Sequence, residues 1–336
     1  MINILLILIV ILILLIVNVH VQEDFLNYKR CKKATGITNE VLNEHNVKKS
    51  EKDWDLLLPC SYTKAQTELK GFNDKGKYIY AIEDCDKLVS KTSLWKILKN
   101  YYGRKQASKI MPETYLLKNQ NDKNLFKIIF NPKETYIMKN GKQRKQGIKL
   151  TNNINEILTT KDYFLVQKMI ESHKQNGYKY NFRCYLLIIC KDDNTQFFLH
   201  NKIKYLYTKN KATTNKLVKE EHITDSYSMN KDIYKDNPRY VRDEQIYKKI
   251  HNLLKKVVSA LPNQICQKIK NNTRFQIFGV DIVLDENLNP YILEMNKGPD
   301  MKPKDDEDHN IKKKVIEDTF GKVELIDVED NEYREI

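Results

Sequence analysis

The pattern of hydrophobic and polar positions divides this chain into strand-like and helix-like segments. Apolar runs and period-2 alternation predict strands over residues 135–139, 163–170, 177–188, 197–207, 275–284 and 291–295. Apolar residues at helical spacing predict helices over residues 91–98, 244–261 and 311–320. The chain is therefore expected to contain both sheets and helices.

The last two predicted strands flank a turn of Asp, Glu and Asn residues, which is typical of a β-hairpin. Glu294 and Asn296 are two residues apart, so their side chains leave one strand on the same face. Asp281, on the partner strand, can join them. Two carboxylates and an amide oxygen are ligands that suit Mg²⁺. A solvated hairpin with scattered acids is the alternative interpretation of this segment alone.

Residues 1–21 are almost wholly apolar. A membrane-spanning helix needs roughly 17–25 mainly apolar residues, so this segment predicts a single N-terminal transmembrane helix. A cleaved signal peptide is the alternative, but no Lys or Arg precedes the run and no small-residue cleavage site follows it. Lys29, Arg30, Lys32 and Lys33 come after the run. The positive-inside rule then predicts a membrane-anchored, single-pass protein with its body facing the cytoplasm.

The formal net charge is +14, although the residues after 304 are strongly acidic. A basic body favours polyanionic partners such as nucleotide phosphates, anionic lipid, nucleic acid or an acidic protein tail. No nucleic-acid-binding motif accompanies the charge, so nucleic acid is not expected as a partner. Residues 22–50 are polar with little periodicity and are interpreted as a linker, and the acidic residues 326–336 as a mobile tail.

The six cysteines show no Cys-x-x-Cys pair and no regular spacing. In a chain of this length, that scatter predicts reduced thiols rather than a disulfide framework or a zinc site. Reduced thiols agree with a body that lies in the cytosol.

Two motifs carry a resemblance to a known family. Residues 281–296 read D-I-V-L-D-E-N-L-N-P-Y-I-L-E-M-N, and residues 177–187 read G-Y-K-Y-N-F-R-C-Y-L-L. Both resemble signatures of the tubulin–tyrosine ligase-like family, a branch of the ATP-grasp ligases. The resemblance implies an α+β fold of the ATP-grasp type, with the nucleotide between two sheet-containing lobes. Here that fold would be preceded by the single N-terminal transmembrane helix.

The resemblance runs from about residue 54 to about residue 324 and implies a domain organisation. The expected segments are a membrane anchor (1–21), a linker (22–50), an N-terminal domain (51–108), a central ATP-grasp lobe (109–168), a C-terminal ATP-grasp lobe with the metal site (169–325) and an acidic tail (326–336).

The resemblance also implies roles for individual residues, with ATP and Mg²⁺ as cofactors. The implied metal ligands are Asp281, Glu294 and Asn296, and the implied catalytic residues are Arg183, Lys204 and Glu294. The implied nucleotide-binding residues are Lys91, Lys139, Arg144, Gln167, Lys168, Met169, Ile170, Lys179, Asn181, His222 and Asp225.

The chain departs from the family pattern at several of these positions. Asn181 stands where the family has Asp, Lys204 where it has Arg, and Asp225 where it has Asn. The basic loop after Lys139 also lacks one of the family's glycines. Lys204 keeps the charge of an arginine but not its bidentate geometry, so this replacement is not conservative.

The family's chemistry implies ATP-dependent ligation of an amino acid, with glutamate favoured, to a carboxylate of an acidic protein acceptor such as a tubulin tail. The reaction would pass through an acyl phosphate. The expected partners are that acceptor (tubulin or microtubules), the free amino acid and, through the N-terminal helix, a membrane. Two alternatives stay open: a membrane-tethered, catalytically weak or inactive module that binds microtubules or acidic proteins, and an ATP-grasp ligase for a small-molecule or peptide acceptor.

Overall fold

The computed structural model describes residues 26–61, 68–69, 77–141, 147–215, 217–224, 233–261, 265–266, 269 and 271–336. The helices in these ranges are α1 (Gly36–Glu44), α2 (Asp86–Val89), α3 (Ser93–Tyr102), α4 (Arg104–Ala107), α5 (Gln120–Ile129), α6 (Ile154–Thr159), α7 (Lys219–His222), α8 (Ile233–Asp236), α9 (Glu244–Ala260) and α10 (Asp306–Lys322). The strands are β1 (Asn27–Lys29), β2 (Lys48–Lys49), β3 (Leu56–Leu57), β4 (Tyr78–Ile79), β5 (Thr114–Leu116), β6 (Tyr136–Lys139), β7 (Ile148–Thr151), β8 (Leu165–Lys168), β9 (Lys174–Gln175), β10 (Tyr178–Lys191), β11 (Asn194–His200), β12 (Lys204–Tyr207), β13 (Thr273–Leu284), β14 (Pro290–Asn296) and β15 (Tyr333–Glu335).

A large mixed sheet forms the centre of the fold. Within the described residues its strand order is β15-β11-β10-β13-β4-β3-β1-β2, with β12 and β9 also paired to β10 and β14 also paired to β13. The long strands β10 and β13 run antiparallel, from Phe182 opposite Ile282 to Cys190 opposite Arg274. Both are rich in buried β-branched and aromatic residues, which suits strands that are covered on both faces. Their pairing fixes the register of the residues that form the candidate site.

The two faces of β10 have different surroundings because successive side chains point to opposite sides of a strand. Phe182 and Leu186 pack with α3 and α9 in one core. Leu187 and Ile189 pack with α1 and α10 in a second core, on the side that we call the odd face. The second core covers only the later part of β10. The earlier part of the odd face, at residues 179–183, is left for the site.

A second, four-stranded sheet has the order β5-β8-β6-β7, and its strands are all antiparallel. Tyr136, Met138 and Val166 pack on one side of it with residues of α5 and α6. Residues of the opposite parity, which include Lys139 and Gln167, therefore point to the other side. That side faces the odd face of the large sheet, since the charge of Glu294 on β14 acts on Lys139.

Arg104 on α4 fastens the helical segment to the smaller sheet. Its guanidinium contacts the carboxylates of Asp122 and Glu113 and donates to the backbone oxygen of Thr114 over 3.2 Å. It also lies over the ring of Trp95, with 5.5 Å between the guanidinium carbon and the ring centroid. This one side chain links α3, α4, α5 and β5.

The structure differs from the sequence-based expectation in several segments. The predicted strand 197–207 is two strands, because β11 pairs with the later part of β10 and β12 with the earlier part. The predicted linker 22–50 contains β1, α1 and β2, and α1 buries Ile37, Val41 and Leu42. The acidic tail contains β15, which pairs with β11. These short elements each bury few residues, so their periodicity is too weak to predict them.

The transmembrane part of the predicted fold class is corrected. In the part of the chain that the structure describes, no helix is long and apolar enough to cross a membrane. The longest helices there, α9 and α10, have 17 residues each and carry charged side chains, whereas a span needs about 20 mainly apolar residues. The predicted anchor, residues 1–21, lies outside the described residues. The predictions of a membrane-anchored, single-pass localisation and of a membrane partner are therefore not supported.

The prediction of reduced thiols is wrong for four of the six cysteines. Cys31 and Cys60 form one disulfide, with 5.9 Å between their Cα atoms, and Cys190 and Cys266 form another, with 5.3 Å. The other two thiols are free and buried. The bonded cysteines are 29 and 76 residues apart along the chain. The fold, not a recognisable spacing, brings them together.

A buried histidine joins β11 to α10. His200 Nε2 lies 2.9 Å from Asp318 Oδ2, and both side chains are 0% exposed. The backbone N–H of Lys202 donates to His200 Nδ1 over 3.0 Å, so Nδ1 is unprotonated and His200 is neutral in the folded state. Burial lowers the pKa of His200 below its ordinary value, and the charge of Asp318 opposes this change.

We expect acid to destabilise the protein through His200. A lowered pKa in the folded state gives stability that is fully present above the unfolded pKa, about 6.5, and is lost as the pH falls through the folded pKa. The free energy of unfolding in urea should therefore decrease from about pH 7 to about pH 5. His200→Gln, which keeps a donor but cannot take up a proton, should show a smaller decrease. Equal pH dependence in the two proteins would contradict this interpretation.

Candidate functional site

Four charged residues form a row across four neighbouring strands of the large sheet. Lys204 on β12 is opposite Arg183 on β10, Arg183 is opposite Asp281 on β13, and Asp281 is opposite Glu294 on β14. Directly opposed residues point to the same face of a sheet. This charged row therefore places two cations beside two carboxylates on the odd face, and it forms the centre of the candidate site.

Arg183 and Asp281 form a bidentate ion pair inside the row. Arg183 Nε donates to Asp281 Oδ1 over 2.6 Å, and Arg183 Nη2 donates to Asp281 Oδ2 over 3.1 Å. Burial by itself would lower the pKa of Arg183, but the Asp281 charge leaves it raised. Burial raises the pKa of Asp281, and the Glu294 charge adds to that effect while Arg183 opposes it. The crowded carboxylates therefore favour the approach of a further cation.

A β-bulge sets the direction of Glu294. The register of β13 and β14 shifts between Asp281 and Ile282, so that Ile282 is opposite Ile292 while Asp281 is opposite Glu294. Leu293 is left as the extra residue. Ile282 and Ile292 face the core, and strict alternation would turn Glu294 to the core as well. The bulge instead turns Glu294 toward Asp281, as bulges beside active sites often do.

Asn296 completes the oxygen-rich set that the sequence predicts on this hairpin. It lies on the same side of β14 as Glu294, and its Nδ2 donates to Glu294 Oε1 over 3.2 Å. Among the described residues, no group of three or more His, Cys, Asp or Glu is positioned to hold a metal ion. Two adjacent carboxylates and an amide nevertheless fit Mg²⁺, which usually keeps several waters and takes few protein ligands.

Two lysines approach Glu294 from across the cleft. Lys139, at the end of β6, is buried, and this burial lowers its pKa although the Glu294 charge opposes the change. Lys91, just before α3, donates from Nζ to the backbone oxygen of Asn140 over 2.9 Å. Burial lowers the pKa of Lys91 too, against the same effect of Glu294. The site is therefore formed by both sheets and by the segment that precedes α3.

Lys179 and Asn181 follow the charged row along the odd face of β10. Lys179 is buried and donates from Nζ to Glu171 Oε1 over 3.0 Å. Asn181 Nδ2 donates to Thr224 Oγ1 over 3.0 Å. A threonine hydroxyl can also donate to a carboxylate, so this contact accommodates either Asn or Asp at position 181.

His222, at the end of α7, lies near Lys179. Its Nε2 is 3.2 Å from the backbone oxygen of Asn215, so Nε2 carries the proton. Its Nδ1 is buried and has no hydrogen-bond partner within the described part of the chain. Burial and the Lys179 charge lower the pKa of His222. His222 is therefore neutral at pH 7 and offers an acceptor at Nδ1.

The predicted hinge residues lie at the end of β8 with their side chains on different faces. Gln167 is buried, and its Nε2 donates to Thr114 Oγ1 over 2.7 Å, which ties β8 to β5. Lys168 points to the other side of the strand and pairs with Glu134 over 3.0 Å. The Lys168 side chain is therefore not among the cations around the charged row.

A cavity of about 320 Å³ lies beside this hinge. Its lining includes Met169 and Ile170 from the hinge and Asp285 and Tyr291 from the β13–β14 hairpin. Tyr291 is three residues before Glu294 on β14, which corresponds to about 10 Å along a strand. The cavity thus lies between the two sheets, at a short distance from the charged row.

Lys204 belongs to the charged row, but its ammonium is engaged elsewhere. It is buried, and Nζ donates to Asp308 Oδ1 over 2.7 Å. Asp308, in the first turn of α10, also pairs with Lys312 over 2.9 Å. Burial lowers the pKa of Lys204, and the bond to Asp308 opposes that change. The contact fastens β12 to α10.

Sequence reasoning missed Glu171, Asp308 and Gly279, and two predicted residues cannot be placed. Arg144 and Asp225 lie outside the described residues. Glu171 and Asp308 become relevant only through tertiary contacts, which no local pattern marks. Gly279 lies two positions before Asp281 on the same face of β13, and that spacing is a signal that could have identified it.

Gly279 leaves room for the side chain of Arg183. A Cβ atom at this position would lie 3.4 Å from Arg183 Cδ and 3.1 Å from Pro299 Cβ. Pro299 belongs to the turn that follows Asn296. The absence of a side chain at Gly279 therefore allows Arg183 and this turn to pack closely beside the charged row.

Two sheets that face each other across a lysine-lined cleft, with paired carboxylates on one of them, are consistent with an ATP-grasp-like mixed α/β fold. The model of the tubulin-tyrosine ligase family matches residues 73–332. The chain therefore belongs to that family, and the resemblance found in its motifs is confirmed.

Individual relatives agree with this membership. The chain is 27% identical over 253 residues to a probable beta-tubulin polyglutamylase of Tetrahymena thermophila, covering 63% of this chain and 21% of the relative. It is 25% identical over 236 residues to the tubulin polyglutamylase TTLL7 of Xenopus tropicalis, covering 54% and 25%. It is 26% identical over 188 residues to tubulin glycylase 3F of Tetrahymena thermophila, covering 47% and 21%. The matched regions span a quarter or less of these relatives' lengths.

We expect Asp281→Asn to destabilise the folded protein. The change leaves the buried guanidinium of Arg183 without its bidentate partner, and removal of one member of a buried pair typically costs about 3 kcal/mol or more. Urea denaturation of the variant and the parent protein measures the difference. Glu286→Gln, at an exposed position in the turn of the same hairpin, is the matched control and should change stability by less than about 0.5 kcal/mol. Equal stability of Asp281→Asn and the parent would contradict a structural role for the pair.

Proposed function

We propose that this protein is an ATP-dependent ligase that joins an amino acid, through an amide bond, to a side-chain carboxylate in an acidic tail of tubulin. The charged row carries the proposal, because Arg183, Asp281 and Glu294 lie side by side and face Lys91 and Lys139 across the cleft. Family membership and the names of the relatives support the reaction and the acceptor.

The nucleotide is proposed to lie between the two sheets. Its base would occupy the cavity beside Met169 and Ile170, and its phosphates would extend toward Lys139 and Arg183. The separation of about 10 Å between cavity and charged row leaves room for the sugar. His222 would accept a hydrogen bond at Nδ1 from a donor of the bound substrates. The buried lysines support this proposal. Burial disfavours the charged form of Lys139, and a bound polyanion would stabilise that form again.

Asp281, Glu294 and Asn296 are the residues proposed to hold Mg²⁺. When bound there, Mg²⁺ supplies positive charge that neutralises phosphate oxygens. The support lies in the donor set itself. Burial is the larger cause of the raised pKa of Asp281, and the negative charge of Glu294 raises it further. A cation shared by the two carboxylates would relieve their repulsion.

The proposed chemistry has two steps. An oxygen of the acceptor carboxylate attacks the γ-phosphorus of ATP, the bond to the β–γ bridging oxygen breaks, and ADP leaves. The α-amine of the incoming amino acid then attacks the acyl carbon, phosphate leaves, and the amine loses a proton as the amide forms. Arg183 would stabilise the transferring group with a planar and permanently charged fork. Because Asp281 already holds this fork in place, little reorganisation is needed when charge develops.

Glutamate is the proposed amino acid, supported by the names of two of the three relatives described above. The full-length chain would be incubated with ATP, Mg²⁺, tubulin and labelled glutamate, glycine or tyrosine in parallel. We expect glutamate to be incorporated. Glu294→Gln should lower the rate by about 100-fold or more, because it removes a carboxylate that would hold the cation beside the phosphates.

Glu329→Gln is the matched control for this assay, since it makes the same chemical change at an exposed position that lines neither the cavity nor the charged row. It should leave the rate within about twofold of the parent protein. Incorporation of glycine or tyrosine in place of glutamate would overturn the proposed donor. Absence of incorporation of any of the three amino acids, with ATP still bound, would overturn the proposal of a tubulin ligase.

We also expect Gly279→Ala to impair catalysis more than stability. The added methyl group would press on Arg183 Cδ and Pro299 Cβ, and small displacements of a catalytic group can lower rates by about 10-fold to 100-fold. Overpacking at this site should reduce the free energy of unfolding by about 1–2 kcal/mol. Steady-state kinetics and urea denaturation of the variant measure the two effects. An unchanged kcat would contradict the positioning role of Gly279.

A further inference from the structure

Three helices on the same side of the large sheet present lysines to solvent. α3, α4 and α9 bury their apolar sides in one core, and the hydroxyl of Tyr102 on α3 donates to the backbone oxygen of Lys256 on α9 over 2.8 Å. The outward sides of these helices and the residues just after α4 carry what we call the lysine face. Its members are Lys96, Lys99, Lys105, Lys109, Lys248, Lys255 and Lys256.

The three helices that carry the lysine face contain one carboxylate among them. α3 and α4 contain no Asp or Glu. The single acid of α9, Glu244, lies at its first position and pairs with Arg334. None of the seven lysines makes an ion pair within the described residues. On α10, in contrast, lysines 312–314 each pair with a carboxylate.

The fold itself does not account for this arrangement. Like charges on adjacent helices repel one another, and the core beneath them is complete without their ammonium groups. A surface of one sign attracts and orients partners of the opposite sign, and it acts most strongly on their rate of association. A polyanionic partner is therefore the simplest reason for the lysine face.

The chemistry of the face favours an acidic polypeptide over nucleic acid or a membrane. All of its charge comes from lysine, a mobile point charge that suits a flexible chain of carboxylates. The arginine of α4, Arg104, is already held by Asp122 and Glu113. A helix face that enters a membrane carries large apolar residues. On these helices, within the described residues, Tyr101 is the large hydrophobic side chain that is exposed, at 60%.

We propose that the lysine face binds an acidic segment of the acceptor protein, outside the residue that is modified. The inference rests on the proposed function only in taking the acceptor to be acidic. α3 begins two residues after Lys91, and the charge of Glu294 in the candidate site acts on Lys91. A helix of ten residues is about 15 Å long. A segment held along α3 is therefore kept near the entrance of the cleft.

A binding measurement on the full-length chain tests this proposal. The Kd of a fluorescent oligoglutamate peptide would be determined by fluorescence anisotropy at low and at physiological salt. We expect the affinity of the parent protein to fall as salt is added. Two double charge reversals should each weaken binding about tenfold at low salt. These variants are Lys96→Glu with Lys105→Glu, and Lys248→Glu with Lys255→Glu.

The matched control reverses two exposed lysines of the smaller-sheet lobe, Lys127→Glu with Lys133→Glu, and should change the Kd less than about twofold. An equal loss in the control, or parental affinity in both face variants, would overturn the proposal. It would also be overturned if a duplex DNA oligonucleotide or phosphatidylserine vesicles bound the face more tightly than the peptide.

Two further measurements keep the outcomes distinct. Thermal melts and ATP affinity reveal a variant that fails to fold. In that case Lys96→Gln with Lys255→Gln replaces it, with an expected loss of about threefold, and no loss would overturn the proposal. Peptide binding needs no catalysis. If the parent protein incorporates an amino acid and the variants bind the peptide as well as the parent does, the docking surface is rejected and the ligase is supported. If the variants bind more weakly and the parent protein incorporates no amino acid, the docking surface is supported and the ligase is rejected.

Discussion

The ion pair between Arg183 and Asp281 is the contact on which the arrangement of the candidate site depends. It joins the two long central strands at the point where the odd face changes from covered to open. A buried pair of this kind is stable only when both charges are well bonded, and here two hydrogen bonds satisfy them. The pair thereby fixes the guanidinium and presents Asp281 to Glu294. Gly279 and the bulge before Ile282 serve this geometry, one by leaving space and the other by turning Glu294 toward Asp281.

The cleft collects charges that are costly in the absence of a ligand. Burial lowers the pKa of Lys91 and Lys139, while it raises the pKa of Asp281. Each of these directions means that the charged form is disfavoured by its surroundings. Such groups cluster at functional sites, because a bound ligand of complementary charge recovers what burial removes. The part of the same sheet face that α10 covers is apolar instead. One strand, β10, thus contributes both to a core and to a site.

The sequence allowed the local parts of this site to be predicted, but not the contacts that join them. Period-2 alternation correctly put Arg183, Asn181 and Lys179 on one face, and the hairpin spacing brought Asp281 near Glu294. The bulge escaped prediction because nothing in the sequence of β14 marks Leu293 as an extra residue. The partner of Lys204 escaped it because Asp308 is more than a hundred residues away in the chain. The disulfides and the short elements β1, β2 and β15 also depend on long-range pairing, which periodicity does not report.

The departures from the family pattern have local partners of their own, and this bears on whether the site has decayed. Asn181 Nδ2 donates to Thr224 Oγ1. The ammonium of Lys204 is a compact point charge, and it forms a hydrogen bond to the carboxylate of Asp308 without needing the bidentate geometry of an arginine. A buried polar group that is left without a partner costs about 1–3 kcal/mol of stability. Here each described departure is bonded, while Arg183, Asp281 and Glu294 stand together unaltered. We therefore interpret the departures as a local rearrangement that leaves the charged row in place.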